Sequence, residues 1–156
     1  MQGSYKAAAT RRKQKVRETF FAGLLEKLTG AGLRPTRQRL ALAGLLFNGG
    51  DRHVTAEQLH AAAQAASIQV SLATVYNTLG QFRDAGLLRE VSVEPGRTYF
   101  DTNISDHHHF FLEDSGRLVD IPANALDIGR LPPPPEGTRI AQVAVVIRVQ
   151  ENARAA

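Results

Sequence analysis

Three consecutive histidines, His107, His108 and His109, stand between Asp106 and Phe110-Phe111, and they are three of the five histidines in the chain. Imidazole combined with carboxylate suits Fe(II), Mn(II), Co(II) or Zn(II), with geometry and availability choosing among them. The chain has no cysteine, which excludes disulfides, thiolate zinc sites, iron-sulfur clusters and thiolate-ligated haem. If the row opens a β-strand, His107 and His109 point to one face and His108 to the other, so the three do not readily share one ion. Two metal sites, or one metal site plus a haem ligand, fit that alternation better, and a solvated loop is the plainer alternative. A metal-activated water would need an open coordination position and a placed general base, and no His-Glu-x-x-His or comparable spacing occurs, so the pattern is not that of an enzyme.

The elements before the row must position it. Residues 1–15 are polar and end in Arg11, Arg12, Lys13 and Lys15, a composition expected to form a flexible basic arm, either solvated or following nucleic-acid phosphates. Val16, Phe20, Leu24 and Leu28 recur every four residues and predict a first amphipathic helix ended by Gly30 and Gly32. Thr36 is placed to cap a second helix after Pro35, and Thr55 with Gln58 forms a capping box for a third. His60 falls on the surface of that third helix. Ser71 caps a fourth, with Leu72, Val75, Leu79 and Phe82 on its apolar face and Thr74, Asn77, Thr78 and Gln81 on its polar face. Strands over Leu88–Val93 and Thr98–Phe100 flank a Pro95-Gly96 turn. Helices, a tight turn, a polar-faced helix and a hairpin are the order of a winged helix.

After the row, Phe110–Glu113 and Arg117–Ile121 bracket Asp114-Ser115-Gly116 as a second hairpin. Residues 123–130 are a weak helix candidate, and Pro132–Pro135 form a stiff connector. From Arg139 an alternating pattern predicts a last strand of about ten residues. The expected fold class is therefore α+β, an N-terminal winged-helix DNA-binding domain followed by a small α/β dimerisation domain with a three-stranded antiparallel sheet. Residues 1–15 form the arm, 16–102 the winged helix, and 103–156 the dimerisation and ligand-sensing part. So few strands make a thin core, which a second copy across a two-fold axis would complete.

A formal net charge of +4 makes a polyanion partner plausible. The longest nearly apolar run, Leu40–Phe47, is too short to span a bilayer and the N-terminus has no apolar targeting core, so no membrane partner and a cytoplasmic location are expected.

Ser71-Leu72-Ala73-Thr74-Val75-Tyr76-Asn77-Thr78-Leu79, then Ala85-Gly86-Leu87, Tyr99-Phe100-Asp101 and the histidine row, resemble the ferric uptake regulator family. Pro35-Thr36 with Arg39, and His53-Val54-Thr55-Ala56, agree with it. Asp106–Phe111 looks most like its iron response regulator branch. The resemblance implies a dimeric transcription factor binding a palindromic, AT-rich double-stranded operator. Arg39, Ser71, Thr74, Tyr76 and Asn77 would contact DNA, although Ser71 also suits a cap and Tyr76 a packing role. It further implies an interdomain site for a divalent metal (Fe, Mn or Zn) at His53, Asp101, His107 and His109, Asp101 standing where the family usually has glutamate. The iron response regulator branch adds haem binding at His107, His108 and His109. Its members bind DNA when iron is scarce and are released by haem, whereas the alternative is a metal-activated repressor sensing Fe(II), Mn(II) or Zn(II) without haem chemistry. Two departures stand out: Leu112 and Ser115 occupy the positions of a frequent Cys-x-x-Cys zinc site, and a cysteine-proline haem motif is missing.

Overall fold

The structure, a computed structural model, describes residues 2–152. The elements in order are α1 (Gln2–Gly30), α2 (Arg37–Leu46), β1 (His53–Val54), α3 (Ala56–Ala65), α4 (Leu72–Asp84), β2 (Arg89–Glu94), β3 (Arg97–Asp101), β4 (His107–Leu112), β5 (Arg117–Pro122), a 3-10 turn (Ala123–Ala125) and β6 (Val146–Val149). They fall into two compact units that divide after Ile104. The α+β class is as expected.

In the first unit, local chemistry sets the helix boundaries. Thr36 accepts from the Arg39 amide at 3.3 Å to start α2, and Thr55 and Gln58 close the capping box of α3 at 3.1 and 2.9 Å. Ser71 accepts from the Thr74 amide at 3.1 Å to start α4. Leu28 and Leu42 of the first two helices, Leu59 and Ala63 of α3, and Val75, Leu79 and Phe82 of α4 meet in one buried core, the main source of this unit's stability. The wing is β2 and β3, and Gly96 at φ +79° supplies the left-handed residue of its turn. Behind it β1 pairs with β3, giving a sheet of order β1-β3-β2.

Several expectations need correction here. The arm foreseen for residues 1–15 is helical from Gln2, Met1 lying outside the described residues. A helix already nucleated by its buried end extends at little cost through Ala, Arg, Lys and Gln, all good helix formers. Of the four apolar positions expected to bury, only Leu24 and Leu28 do, whereas Val16 and Phe20 are exposed. Thr78 belongs to the buried side of α4 and Leu72 to the exposed side. The two-residue strand β1 is an element the sequence pattern did not predict.

In the second unit β4 is central, in the order β5-β4-β6. The hairpin β4–β5 is antiparallel, and its register sets His109 opposite Asp120. The β4–β6 pair is parallel, His109 facing Val146, so this sheet is mixed and not wholly antiparallel. A parallel neighbour requires a long return connection, which residues 123–145 provide with Pro132–Pro135 inside it. The helix foreseen for residues 123–130 shrinks to the 3-10 turn, and the last strand to four residues. Glu113 holds the strand in place, accepting from Arg148 at 2.5 Å and Gln150 at 2.7 Å.

Candidate metal centre and nucleic-acid interface

Each unit carries part of the metal-ligating chemistry. In the first unit the pairing of β1 with β3 places His53 directly opposite Asp101, and His53 Nε2 lies 3.2 Å from Asp101 Oδ2. Asp101 is fully buried, and its Oδ1 accepts the Asn103 amide at 2.8 Å. One carboxylate oxygen is thus fixed by the backbone while the other is turned toward the imidazole, a preset oxygen-nitrogen pair. Thr102 and Arg52 exchange hydrogen bonds beside it, the Arg52 amide reaching Thr102 Oγ1 at 2.9 Å and the Thr102 amide reaching the Arg52 carbonyl at 3.1 Å.

In the second unit, strand alternation divides the histidine row. His107 and His109 share a face and bring their Nε2 atoms to 3.0 Å. Asp120, which the sequence reading missed, adds its Oδ1 at 3.5 Å from each of them. The hairpin carried the signal for it: pairing Leu112 with Arg117 across the turn sets His109 opposite Asp120. Donor atoms about 2.0 to 2.2 Å from one ion lie about 3 to 3.5 Å from each other, so this triangle has the edge lengths of a coordination face. His107 Nδ1 is 2.7 Å from the Ser105 carbonyl, and a carbonyl can only accept, so Nδ1 carries the hydrogen. In the tautomer with that hydrogen, the Nε2 atom is the one left to serve as a donor atom for an ion. Two imidazoles with a carboxylate fit a divalent first-row ion.

His108 faces the other way. Its Nδ1 accepts the Val145 amide at 3.2 Å, while the Val145 carbonyl accepts from the His109 amide at 3.1 Å. His108 thereby fixes the approach to β6. All three row histidines are buried: two form a paired donor set and the third holds backbone. His60 is likewise no free surface residue, since its Nε2 lies 3.1 Å from the Val70 carbonyl and ties α3 to the turn that leads into α4.

On α4, Tyr76 and Asn77 are exposed and Thr74 is half-buried. The Ser71 hydroxyl is occupied by the cap and by Thr74 Oγ1 at 2.9 Å. Tyr76 donates its hydroxyl hydrogen to Glu57 at the start of α3. That bond holds the Glu57 carboxyl below its ordinary range and raises the Tyr76 phenol above its own. Arg39 reaches Gln81 Oε1 through Nε at 3.1 Å and Nη2 at 3.0 Å, and the Arg34 carbonyl through Nη1 at 2.8 Å. Glu57 and Arg39 thus brace α4 at Tyr76 and Gln81, and His60 holds the turn before it, while Asn77 stays exposed.

A family model described as the ferric uptake regulator family matches residues 30–143. The peroxide operon regulator of Bacillus subtilis (strain 168) is 38% identical over 103 residues, which cover 66% of this chain and 70% of that protein. The ferric uptake regulator from Pseudomonas aeruginosa, solved with manganese, is 27% identical with a TM-score of 0.62 over 82% of this chain and 97% of that one. The Vibrio cholerae ferric uptake regulator, at 22% identity and a TM-score of 0.64 over 81% of this chain and 98% of that one, shares the fold. Among the described residues no helix is long and apolar enough to cross a membrane. With the match spanning most of the chain, this protein belongs to the ferric uptake regulator family.

Proposed function

We propose that this protein is a metal-activated, DNA-binding transcriptional repressor that senses Fe(II), Mn(II) or Zn(II) and acts as a homodimer on a palindromic operator. The observation that carries the reading is the His107, His109 and Asp120 triangle with His107 Nδ1 already engaged. The His53–Asp101 pair supplies a second donor set, in the first unit. An ion bound at such donors stabilises the state for which it has the higher affinity, and DNA that prefers that state tightens the ion in return. DNA is read by α4, with Tyr76 and Asn77 toward the bases, Thr74 and Ser71 near the backbone, and Arg39 bracing the helix from α2.

The haem-responsive reading, in which haem at His107, His108 and His109 releases DNA bound under iron scarcity, has less support. The row offers no exposed imidazole for an axial position, and His108 Nδ1 is taken by the Val145 amide. The relatives described above are named for peroxide and ferric uptake regulation. The Bacillus subtilis similarity adds peroxide as a second candidate signal.

The experiment selects duplex DNA from a random pool with the protein and Mn(II), then measures affinity with Mn(II), Fe(II), Zn(II), chelator, haemin or hydrogen peroxide. Tight binding that needs a divalent ion and is unchanged by haemin supports the metal-activated reading. Binding in chelator that haemin abolishes overturns it in favour of the haem reading, and loss of Fe(II)-dependent binding in peroxide identifies the second signal.

A further inference from the structure

From residue 8 to residue 22 every position of α1 is exposed, and only beyond it do Leu24 and Leu28 enter the core that also seats Val75, Leu79 and Phe82 of α4. This free half is therefore a rod of roughly 20 Å, at about 1.5 Å per residue, anchored in the same core as the recognition helix. It carries Arg11, Arg12, Lys13, Lys15 and Arg17 against a single acid, Glu18, and Glu18 accepts from Gln14 at 3.1 Å.

Those six residues account for the whole formal charge of +4. Every other Lys and Arg in the chain is matched in number by an Asp or Glu. The body of the winged helix is thus close to neutral, and α4 itself has Arg83 beside Asp84 at 2.9 Å and bonded to Glu90. Duplex DNA carries about one negative charge per 1.7 Å of axis, and phosphate neutralisation supplies most non-specific affinity. A neutral body has little of that attraction.

We infer that the free half of α1 is a phosphate clamp, a second DNA contact that grips the backbone of the duplex while α4 reads its bases. The five cations surround the rod and do not form one stripe, so they suit a polyanion that wraps past them better than a flat surface. The clamp supplies affinity and the salt response, and no base discrimination. This rests on the DNA-binding reading above.

The test replaces Arg11, Arg12, Lys13, Lys15 and Arg17 by Gln in the full chain. Gln matches Arg and Lys in helix propensity, and the sites are exposed. A milder Lys13/Arg17→Gln variant accompanies it, and far-UV circular dichroism checks helix content. A control replaces Arg117, Arg130 and Arg139, exposed cations of the other unit. Affinity for the selected duplex and for a scrambled duplex is measured from about 50 to 200 mM salt. The clamp predicts that the slope of log K against log salt shrinks by about 3 to 5 per protomer in the fivefold variant. Both duplexes should lose about 10- to 100-fold in affinity with their ratio preserved, the milder variant falling between and the control near wild type. An unchanged slope in a protein that still prefers the selected duplex overturns the clamp alone, whereas a wild type with no duplex preference overturns the DNA reading itself. If the variant keeps its DNA slope but loses binding to phosphatidylglycerol vesicles, the rod is a membrane-surface element and the clamp is wrong.

Discussion

Tyr76, the exposed aromatic residue in the middle of α4, gives its hydroxyl hydrogen to Glu57 of α3. The bond joins the helix proposed to read DNA to the first turn of the helix behind it, where a carboxylate also meets the positive end of the helix dipole. It determines how the ring is offered. A phenol whose proton is committed to a carboxylate presents its ring, suited to thymine methyls, more readily than a donor for base acceptors.

The first prediction follows from the raised phenol and the lowered carboxyl. In an ultraviolet titration Tyr76 should ionise above the ordinary tyrosine range, and Glu57→Gln should bring it back toward that range. Because Glu57 is depressed when folded, its contribution to stability is present above the ordinary carboxylate pKa and lost as pH falls through its depressed value. A tyrosine titration identical in wild type and Glu57→Gln would show that the bond does not persist in solution.

Asp120 is the carboxylate the histidine row does not announce, and its removal is the sharpest probe of the donor triangle. Asp120→Asn should lower Mn(II) affinity by about 10- to 100-fold, measured by calorimetry, the scale on which changes around metal sites act. Affinity should also fall with acid, because imidazole must shed its proton to bind. Equal affinity in wild type and variant would place the ion elsewhere.

Glu113 ties β4 to β6 through Gln150 and Arg148, and both bonds hold its carboxyl below the ordinary range. With a depressed folded value, the tie is complete above the ordinary carboxylate pKa and fails as pH drops through the lowered one. The Glu113 amide donates to the Val149 carbonyl at 2.9 Å. Its hydrogen exchange, corrected for intrinsic rate, should accelerate in that acid window and should be fast already near neutrality in Glu113→Ala. Protection that ignores both pH and the substitution would refute this tie.

Leu28 and Phe21 separate the anchored half of α1 from the free one. Leu28→Ala, at a fully buried site, should destabilise by about 2 to 5 kcal/mol in urea unfolding. Phe21→Ala, half exposed, should cost well under half of that. Similar losses would mean that the free half is packed in solution. Ser71→Ala gives a calibration, since losing an N-cap costs about 0.5 to 2 kcal/mol.

The features legible in the sequence were those set by near neighbours. Thr36, Thr55 with Gln58, and Ser71 each satisfy amides within three residues, so their positions alone predict the helix starts. The wing turn at Gly96 and the Asp114–Gly116 hairpin are equally local. Asp120 was within reach, because a hairpin fixes every pair up its strands. What stayed hidden depends on distant chain: the parallel alignment of β6, the bond from Val145 to His108, and the two-residue strand that brings His53 opposite Asp101. The basic arm was misread for a different reason, since no apolar periodicity marks a helix that buries only its far end.

The parallel pairing of β4 with β6 also has a consequence for the order in which the molecule is made. His108 waits 37 residues for the Val145 amide, whereas β4 and β5 can pair as soon as their short turn has formed. Contacts of long sequence separation form late, and domains fold from the N-terminal side as synthesis proceeds. A growing chain therefore completes its winged helix first and carries β4 with one open edge until residues 146–149 arrive. The sheet bearing His107 and His109 is thus completed only when β6 joins it, and truncations within the proline-containing connection should yield a folded first unit attached to an unfinished sheet.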